Sequence, residues 1–471
     1  MAYTATQIVI AGIAVTEIHE LKLSCQAGEH AVLKLSGYVG ENTGESTLHE
    51  LKEYSEITVH INIDGSRRIL FSGVITNVKI TGKSQTDYLE IEAKSKSFIM
   101  DIKKKSRSFQ NTNMTIGELV SEIMKDYPES DIKLSIPDKP IGEIAVQYRE
   151  TDWEFVKRVL SVIHIKIACN QTSNRIQLYA GIPSGEVKQQ GSINREILKE
   201  MGVYDYWLQE GMGVSDTDFL IYTIETNEMV QIFDQIKYKE RDFVVRSTTY
   251  EMVKGMLNCI CELQRKQGIM EPVKYPMHLI GVALKGKIVD AAGEKVKVHL
   301  EIDEGRKSQN VYWFPFSTLS ASPDGSGWYY MPEKGDQIRV CFPSKHMKDV
   351  IAISAVSTYE GKDTEDADKM GNPSTKSLSN AYGQEMSMGE DGINLTCRGG
   401  ASLKIGNDGS IALAAQKQVN INAENNIEIT SETDMIFHGS QVVALTCTQG
   451  AQIVLSEEGN LHIKGTEVFV D

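Results

Sequence analysis

What the chain has little of narrows it first. Its seven cysteines, at positions 25, 169, 259, 261, 341, 397 and 447, are odd in number and scattered through 471 residues. Secreted disulfide scaffolds use dense, even sets, so all seven are expected as reduced thiols packed as small hydrophobes. Cys259-Ile260-Cys261 offers two metal ligands with no second Cys or His pair nearby, too few for a tetrahedral site, and neither a metal nor a cofactor is expected. The opening Met1-Ala2-Tyr3-Thr4 lacks the basic and apolar regions of a signal peptide. No apolar run approaches the roughly 20 residues that span a bilayer. The longest candidate, Val159–Cys169, is broken by His164 and Lys166. Positive charge is also short: 49 Lys and Arg against 64 Asp and Glu leave a net charge of −15, which argues against nucleic acid or anionic lipid as a general partner. A protein made in the cytoplasm and kept soluble is expected. Catalytic signatures are missing too. His19-Glu20 and His49-Glu50 begin a zinc-protease pattern, but Leu23 and Glu53 stand where the second histidine is required. No nucleophile elbow or P-loop occurs, and no enzyme is expected.

At this length several domains are expected, since single cores rarely exceed about 250–300 residues. Residues 5–100 read as strands: Ile57–Ile63 alternates apolar and polar side chains, and Asp64-Gly65 signals a hairpin before Arg68–Phe71. The basic run Lys103–Arg107 reads as a solvated loop. Two helices open with capping boxes, Thr115-x-x-Glu118 and Thr151-x-x-Glu154. Asp152 and Glu154 lie in a first turn and read as capping residues. Strands return at 166–168, 175–179 and between about 200 and 250, followed by a helical stretch near Tyr250–Gln267. Residues 277–357 carry five strand-like runs, as an OB-type barrel would. Their aromatics, Trp313, Phe314, Trp328, Tyr329 and Tyr330, lack surrounding basic residues and read as core and interface. Residues 358–380, with a charge run and turn formers but no apolar periodicity, read as a linker.

The remainder, residues 381–471, is a short-period repeat. Apolar pairs with one residue between them recur as Leu403/Ile405, Ile411/Leu413, Val419/Ile421, Ile427/Ile429, Met435/Phe437 and Val443/Leu445, each eight residues after the last. The step lengthens to ten at Ile393→Leu403 and Val443→Ile453/Leu455, then returns to eight at Leu461/Ile463. Each pair has the period-two signature of a strand with one buried face, and such a short repeat implies a β-helical rod whose units bury their apolar pairs only by stacking. The ten-residue units are expected to hold bulges or turns. Periodicity does not give the number of chains, because three octads of one chain could also close one rung of a solenoid.

The order of strand-rich hub, small barrel and octad rod resembles the hub-and-spike proteins of contractile injection machines, including the VgrG proteins of type VI secretion. Leu70-Phe-Ser-Gly-Val-Ile-Thr-Asn-Val78 is similar to a hub strand of that family. Tyr148-Arg-Glu-Thr-Asp-Trp-Glu-Phe-Val-Lys-Arg158 is similar to its Glu-Thr-Asp-x-x-Phe-x-x-Arg helix start. Gly327–Phe342 resembles its barrel motif, with Ile338 where the family has valine. The resemblance implies a mainly β homotrimer: a hub of β-barrels with two short helices (1–270), an OB-fold (277–357) and a triple-stranded β-helix needle (381–471). Residues 5–100 and 165–250 would be the two hub barrels, matched to a hexameric tail tube. The ladder pairs above would form the needle core. Val468, Phe469 and Val470 would dock a PAAR-type tip protein, and the hub would meet tail-tube and baseplate proteins. The assembled particle would touch the target envelope transiently and be ejected on contraction. Some spike tips hold iron through a His-x-His pair, but His462 stands alone between Leu461 and Ile463 and is expected to face outward. The rival readings are a receptor-binding trimeric tail fibre and a β-helical polysaccharide-processing enzyme.

Overall fold

The computed structural model describes residues 3–39, 48–63, 65–83, 86–306, 311–353 and 372–469. The chain divides into two compact units, residues 1–358 and 359–471.

The first unit is built on a 13-stranded sheet. One half is antiparallel, with Glu17–Gln26, Val32–Val39, Thr86–Ser95, Ser66–Lys83, Glu56–Ile63 and Ile8–Ala11 side by side in that order, so the chain crosses over between non-consecutive strands. Alternation in these strands buries Leu21, Leu23, Leu33, Ile57, Val59 and Ile61 on one face. Ile63 pairs with Ser66, so the expected turn joins the two strands, with Gly65 at φ +78° where a Cβ would be strained. The other half runs from Val187 to Gln264, and the halves meet where Ser247–Glu251 pairs with Lys22–Gln26. The two barrel regions therefore share one sheet. Ile167–Cys169 and Gln177–Ala180, expected in the second barrel, instead form a separate three-stranded sheet with Asp131–Leu134.

Two further expectations are corrected. Tyr250–Gln267 is not a helix but most of the hairpin Arg241–Val253/Met256–Gln264, turned at Lys254-Gly255. Leu257, Cys259, Cys261 and Leu263 are buried at a period of two, which no helix face can produce. Conversely Met201–Gln209, inside a region read as strand, is a helix that buries only Trp207. Both capped helices form as expected, at Ile116–Met124 and Asp152–Ser161. In each the threonine hydroxyl accepts from the N3 amide and the N3 glutamate accepts from the threonine amide. Ile116, Leu119, Val120 and Ile123 of the first, with Phe155, Val156 and Leu160 of the second, enter the main core.

The five expected strands of the small barrel are Ala283–Ala292, Lys295–Leu300, Trp313–Pro315, Gln337–Cys341 and Ile351–Ile353. They pair antiparallel, and a bridge between Phe316 and Ala352 brings the sheet edges together. Ile144 and Val146 from the helical region complete the barrel core around Phe314 and Phe342. Buried polar contacts fix this joint: Asp303 accepts from the Ser108 amide at 2.6 Å and from its hydroxyl, and Gln110 donates to the Val298 carbonyl at 3.2 Å. Of the barrel aromatics, Phe314 is core as expected, but Trp328 and Tyr329 are 54% and 73% exposed and Tyr330 is exposed as well. They follow the turn Ser322–Gly325, which runs outside the strands.

In the second unit Lys376–Ser379, Glu385–Gly389, Gly392–Thr396, Ser402–Gly406 and Ile411–Ala414 form one antiparallel meander. Val442–Thr446, Gln452–Ser456 and Leu461–Lys464 form another. Lys376–Ser379 lies in the stretch read as linker; its backbone pairs with Glu385–Gly389 without any apolar alternation to announce it. The linker's charge run lies outside the described residues.

Candidate functional site

The apolar pairs of the repeat fall into register with one another. Ile393 faces Ile405 and Leu395 faces Leu403; Leu403 then faces Leu413, and Ile405 faces Ile411. In the distal meander Val443 faces Leu455, Leu445 faces Ile453, and these continue to Leu461 and Ile463. Since side chains alternate along a strand, each meander carries its apolar ladder on one face. His462 pairs with Val454 on the opposite face and is exposed, as alternation requires.

Among the described residues of the second unit nothing covers that face. Leu403 and Val443 are half-buried, but Ile411 is 72% exposed, Leu445 65% and Ile463 53%, and Ile405, Leu413, Ile453, Leu455 and Leu461 are exposed with them. Between the meanders Val419, Ile421, Ile427, Ile429, Met435 and Phe437 are also exposed and form no strand. The period-two pattern is present there, but a strand needs a neighbour for its backbone groups, and none pairs with this stretch among the described residues. Exposed apolar surface on this scale marks an interaction face. At the end of the described chain Val468 and Phe469 are exposed; Val470 lies outside the described residues.

The ten-residue steps are hairpins. The Cys397 amide donates to Ala401 and the Gly400 amide to Cys397; Cys447, Ala451 and Gly450 repeat this pattern. Gly400 and Gly450 sit at φ +78° and +90°, which glycine adopts without strain. Leu395–Leu413 and Leu445–Ile463 are thus two copies of one double hairpin. The shared Leu-Thr-Cys-x-x-Gly-Ala is the sequence signal of it, hidden when only the octads are counted.

The cysteines divide along the same line. All are free: Cys25, Cys169, Cys259 and Cys261 are buried as expected, whereas Cys397 and Cys447 are exposed on the hairpin turns. Burial pushes the Cys259 thiol up to about 12 and raises Cys25 and Cys261 as well, so these thiols are unreactive.

The first unit holds one dense charged cluster. Lys103–Arg107 is not a solvated loop, because Lys104–Phe109 is a strand paired with Ala145–Thr151. Asp152, more than a capping residue, is fully buried and accepts from Lys105 and Arg107 at 2.6 Å each, Gln147 at 2.9 Å and Tyr127 at 2.5 Å. Burial disfavours ionisation of Asp126, but hydrogen bonds from Lys105 and Arg107 more than offset this and hold its carboxyl below the usual range. Burial, then the Asp152 carboxylate, raises the Tyr127 hydroxyl. Beside this cluster Glu150 and Arg158 form a buried two-point ion pair at 3.0 and 2.7 Å. Every member of the cluster has a partner, so it fixes the helix Asp152–Ser161 against the strand Lys104–Phe109. Among the described residues no group of three His, Cys, Asp or Glu is arranged to hold a metal, and no helix is long and apolar enough to cross a membrane.

Residues 51–162, which include this cluster, match the family described as the phage tail baseplate hub (GPD). No curated protein matches the chain. Among solved structures the chain is similar to the E. coli c3393 protein, at 12% identity and a TM-score of 0.54, over 73% of this chain and 98% of that one. That protein is described as a component of the type VI secretion system with structural similarity to the T4 bacteriophage tail proteins gp27 and gp5. The chain is also similar to a chain of the Francisella PdpA–VgrG complex. The half-lidded form gives 8% identity and a TM-score of 0.52, over 86% of this chain and 87% of that one; the lidded form gives 9% and 0.51, over 84% and 76%. In fold the chain resembles VgrG-like hub-and-spike proteins.

Proposed function

We propose that this chain is the spike subunit of a contractile injection machine and works as a structural rod, not as an enzyme. The observation that carries the reading is the uncovered apolar ladder at the end of a hub-type fold. Each apolar side chain moved from water into an interface contributes about 1.5–3 kcal/mol. A ladder of this length outweighs the roughly 4–15 kcal/mol that association costs. Three copies, each lending its ladder to a common axis, bury it and give the unpaired stretch 415–441 its neighbours. A rod with every strand paired offers no lateral edge and resists bending. Contraction of a surrounding sheath, as in the proteins it resembles, drives the rod through the target envelope. The hub meets tail-tube and baseplate proteins, and Val468, Phe469 and Val470 dock a PAAR-type tip.

Electron microscopy of the purified chain tests the assembly, with three-fold particles as the expected result; two-fold or asymmetric single-chain particles would refute it. Deleting Glu467–Asp471 leaves three-fold particles but abolishes co-purification with a PAAR-type protein. A truncated rod that still carries the tip protein rules out the docking residues.

A further inference from the structure

A groove of about 840 Å³ opens where the helical region of the first unit meets the small barrel. Its walls bring together Lys104, Arg149, Lys157 and Lys274 with Tyr148, Tyr275 and His278. This is a concentration of positive charge in a chain of net charge −15. Two of the cations are already used: Lys157 meets Glu29 at 3.0 Å and Lys274 meets Glu271 at 2.8 Å. Lys104 and Arg149 are exposed and have no carboxylate partner among the described residues.

The backbone presents Arg149 deliberately. The pairing of Ala145–Thr151 with Lys104–Phe109 slips between Tyr148 and Glu150, and Arg149 occupies this bulge at φ +50°. A bulge of this kind re-aims side chains. Glu150 turns inward to its buried pair with Arg158, while Arg149 lies over the Tyr148 ring at 5.3 Å, on the groove wall. A non-glycine residue at positive φ is strained, and such strain concentrates at binding sites. Tyr148 and His278 lie with their rings nearly parallel, at 10°, giving the groove an aromatic wall.

We infer that this groove binds an acidic, extended peptide segment of a partner protein, its carboxylates meeting Lys104 and Arg149 and its intervening side chains lying on Tyr148 and His278. The charge complementarity is local. Two free cations, with Glu150 and Glu154 also lining the groove, suit a short carboxylate-bearing strand. A nucleic-acid backbone needs a longer row of cations to release its counterions. The inference does not depend on the number of chains in the rod.

The test is fluorescence anisotropy of the full-length protein with a labelled octa-aspartate peptide, alongside labelled eight-nucleotide oligothymidylate. Peptide binding is expected to weaken as ionic strength rises, and by about tenfold or more in the double variant Lys104→Glu/Arg149→Glu. Arg149→Gly removes the guanidinium while glycine keeps the positive φ, so weaker binding by that variant at unchanged melting temperature separates recognition from folding. Lys103→Glu reverses a neighbouring charge outside the groove and leaves binding within about twofold. The proposal is overturned if the peptide does not bind, if Lys103→Glu weakens it as much as the groove variants do, or if the oligonucleotide binds more tightly than the peptide.

Discussion

The two units of this chain use the same alternating strands to opposite ends. In the first, apolar faces close on themselves: Leu21, Leu23, Phe71 and Phe155 are fully buried within one polypeptide. In the second, the same two-residue period produces a ladder left largely exposed among the described residues, with Ile411 72% and Ile421 65% exposed. The difference is one of folding partner. A long sheet with helices against it completes its own core, whereas the short meanders of the second unit have no second layer on their apolar face among the described residues and must find their cover elsewhere.

The largest effect that would break this comparison falls on assembly. Replacing Ile421 and Ile429 together by aspartate places two unpaired carboxylates on the ladder and is expected to convert the proposed trimer to single chains, read by sedimentation. The denaturant midpoint of the first unit stays unchanged. Asp152→Ala acts in reverse: it strands the Lys105 and Arg107 charges, costs the first unit about 3–5 kcal/mol in chemical denaturation and leaves association intact. If both variants damaged both properties, the two units would not be energetically separate.

Alkaline pH sharpens the same contrast. The buried thiols have folded-state pKa values above the unfolded value of about 9, with Cys259 pushed up to about 12. A raised acid of this kind contributes stability that is fully present below pH 9 and lost as pH rises toward 12. The melting temperature of the first unit is expected to fall across that window, and Cys259→Ala to flatten the slope. A maleimide at neutral pH labels Cys397 and Cys447 of dissociated chains and spares Cys25, Cys259 and Cys261, as read by mass spectrometry. The smallest effect comes from the rod hairpins, where Gly450→Val forces a side chain to φ +90° and costs about 1–2 kcal/mol locally. Melting of the rod should shift by a few degrees while the first unit is unmoved.

Much of this was legible in the sequence because local rules decided it. Capping boxes marked both helices of the helical region, the five barrel strands alternate cleanly, and the octad spacing marks the apolar pairs that face one another within each meander. What was hidden depended on long-range partners. Lys105 and Arg107 read as solvated because Asp152, which neutralises them, lies more than forty residues away in sequence. Tyr250–Gln267 read as helix although its main partner is local, across the turn at Lys254-Gly255; only the strands that flank this hairpin, Lys22–Gln26 and Leu220–Thr226, are far away in the chain. Trp328 and Tyr329 read as core and interface from residue type alone; the loop that carries them leaves the barrel, so they are not core. The ladder's occupant was equally hidden, since periodicity specifies a face and not what covers it.

The central claim is that this face is covered by two further copies of the chain. Sedimentation equilibrium of the full-length protein measures it directly. Three times the 52.4 kDa of one chain is the predicted mass, and a stable species at 52.4 kDa would contradict the account.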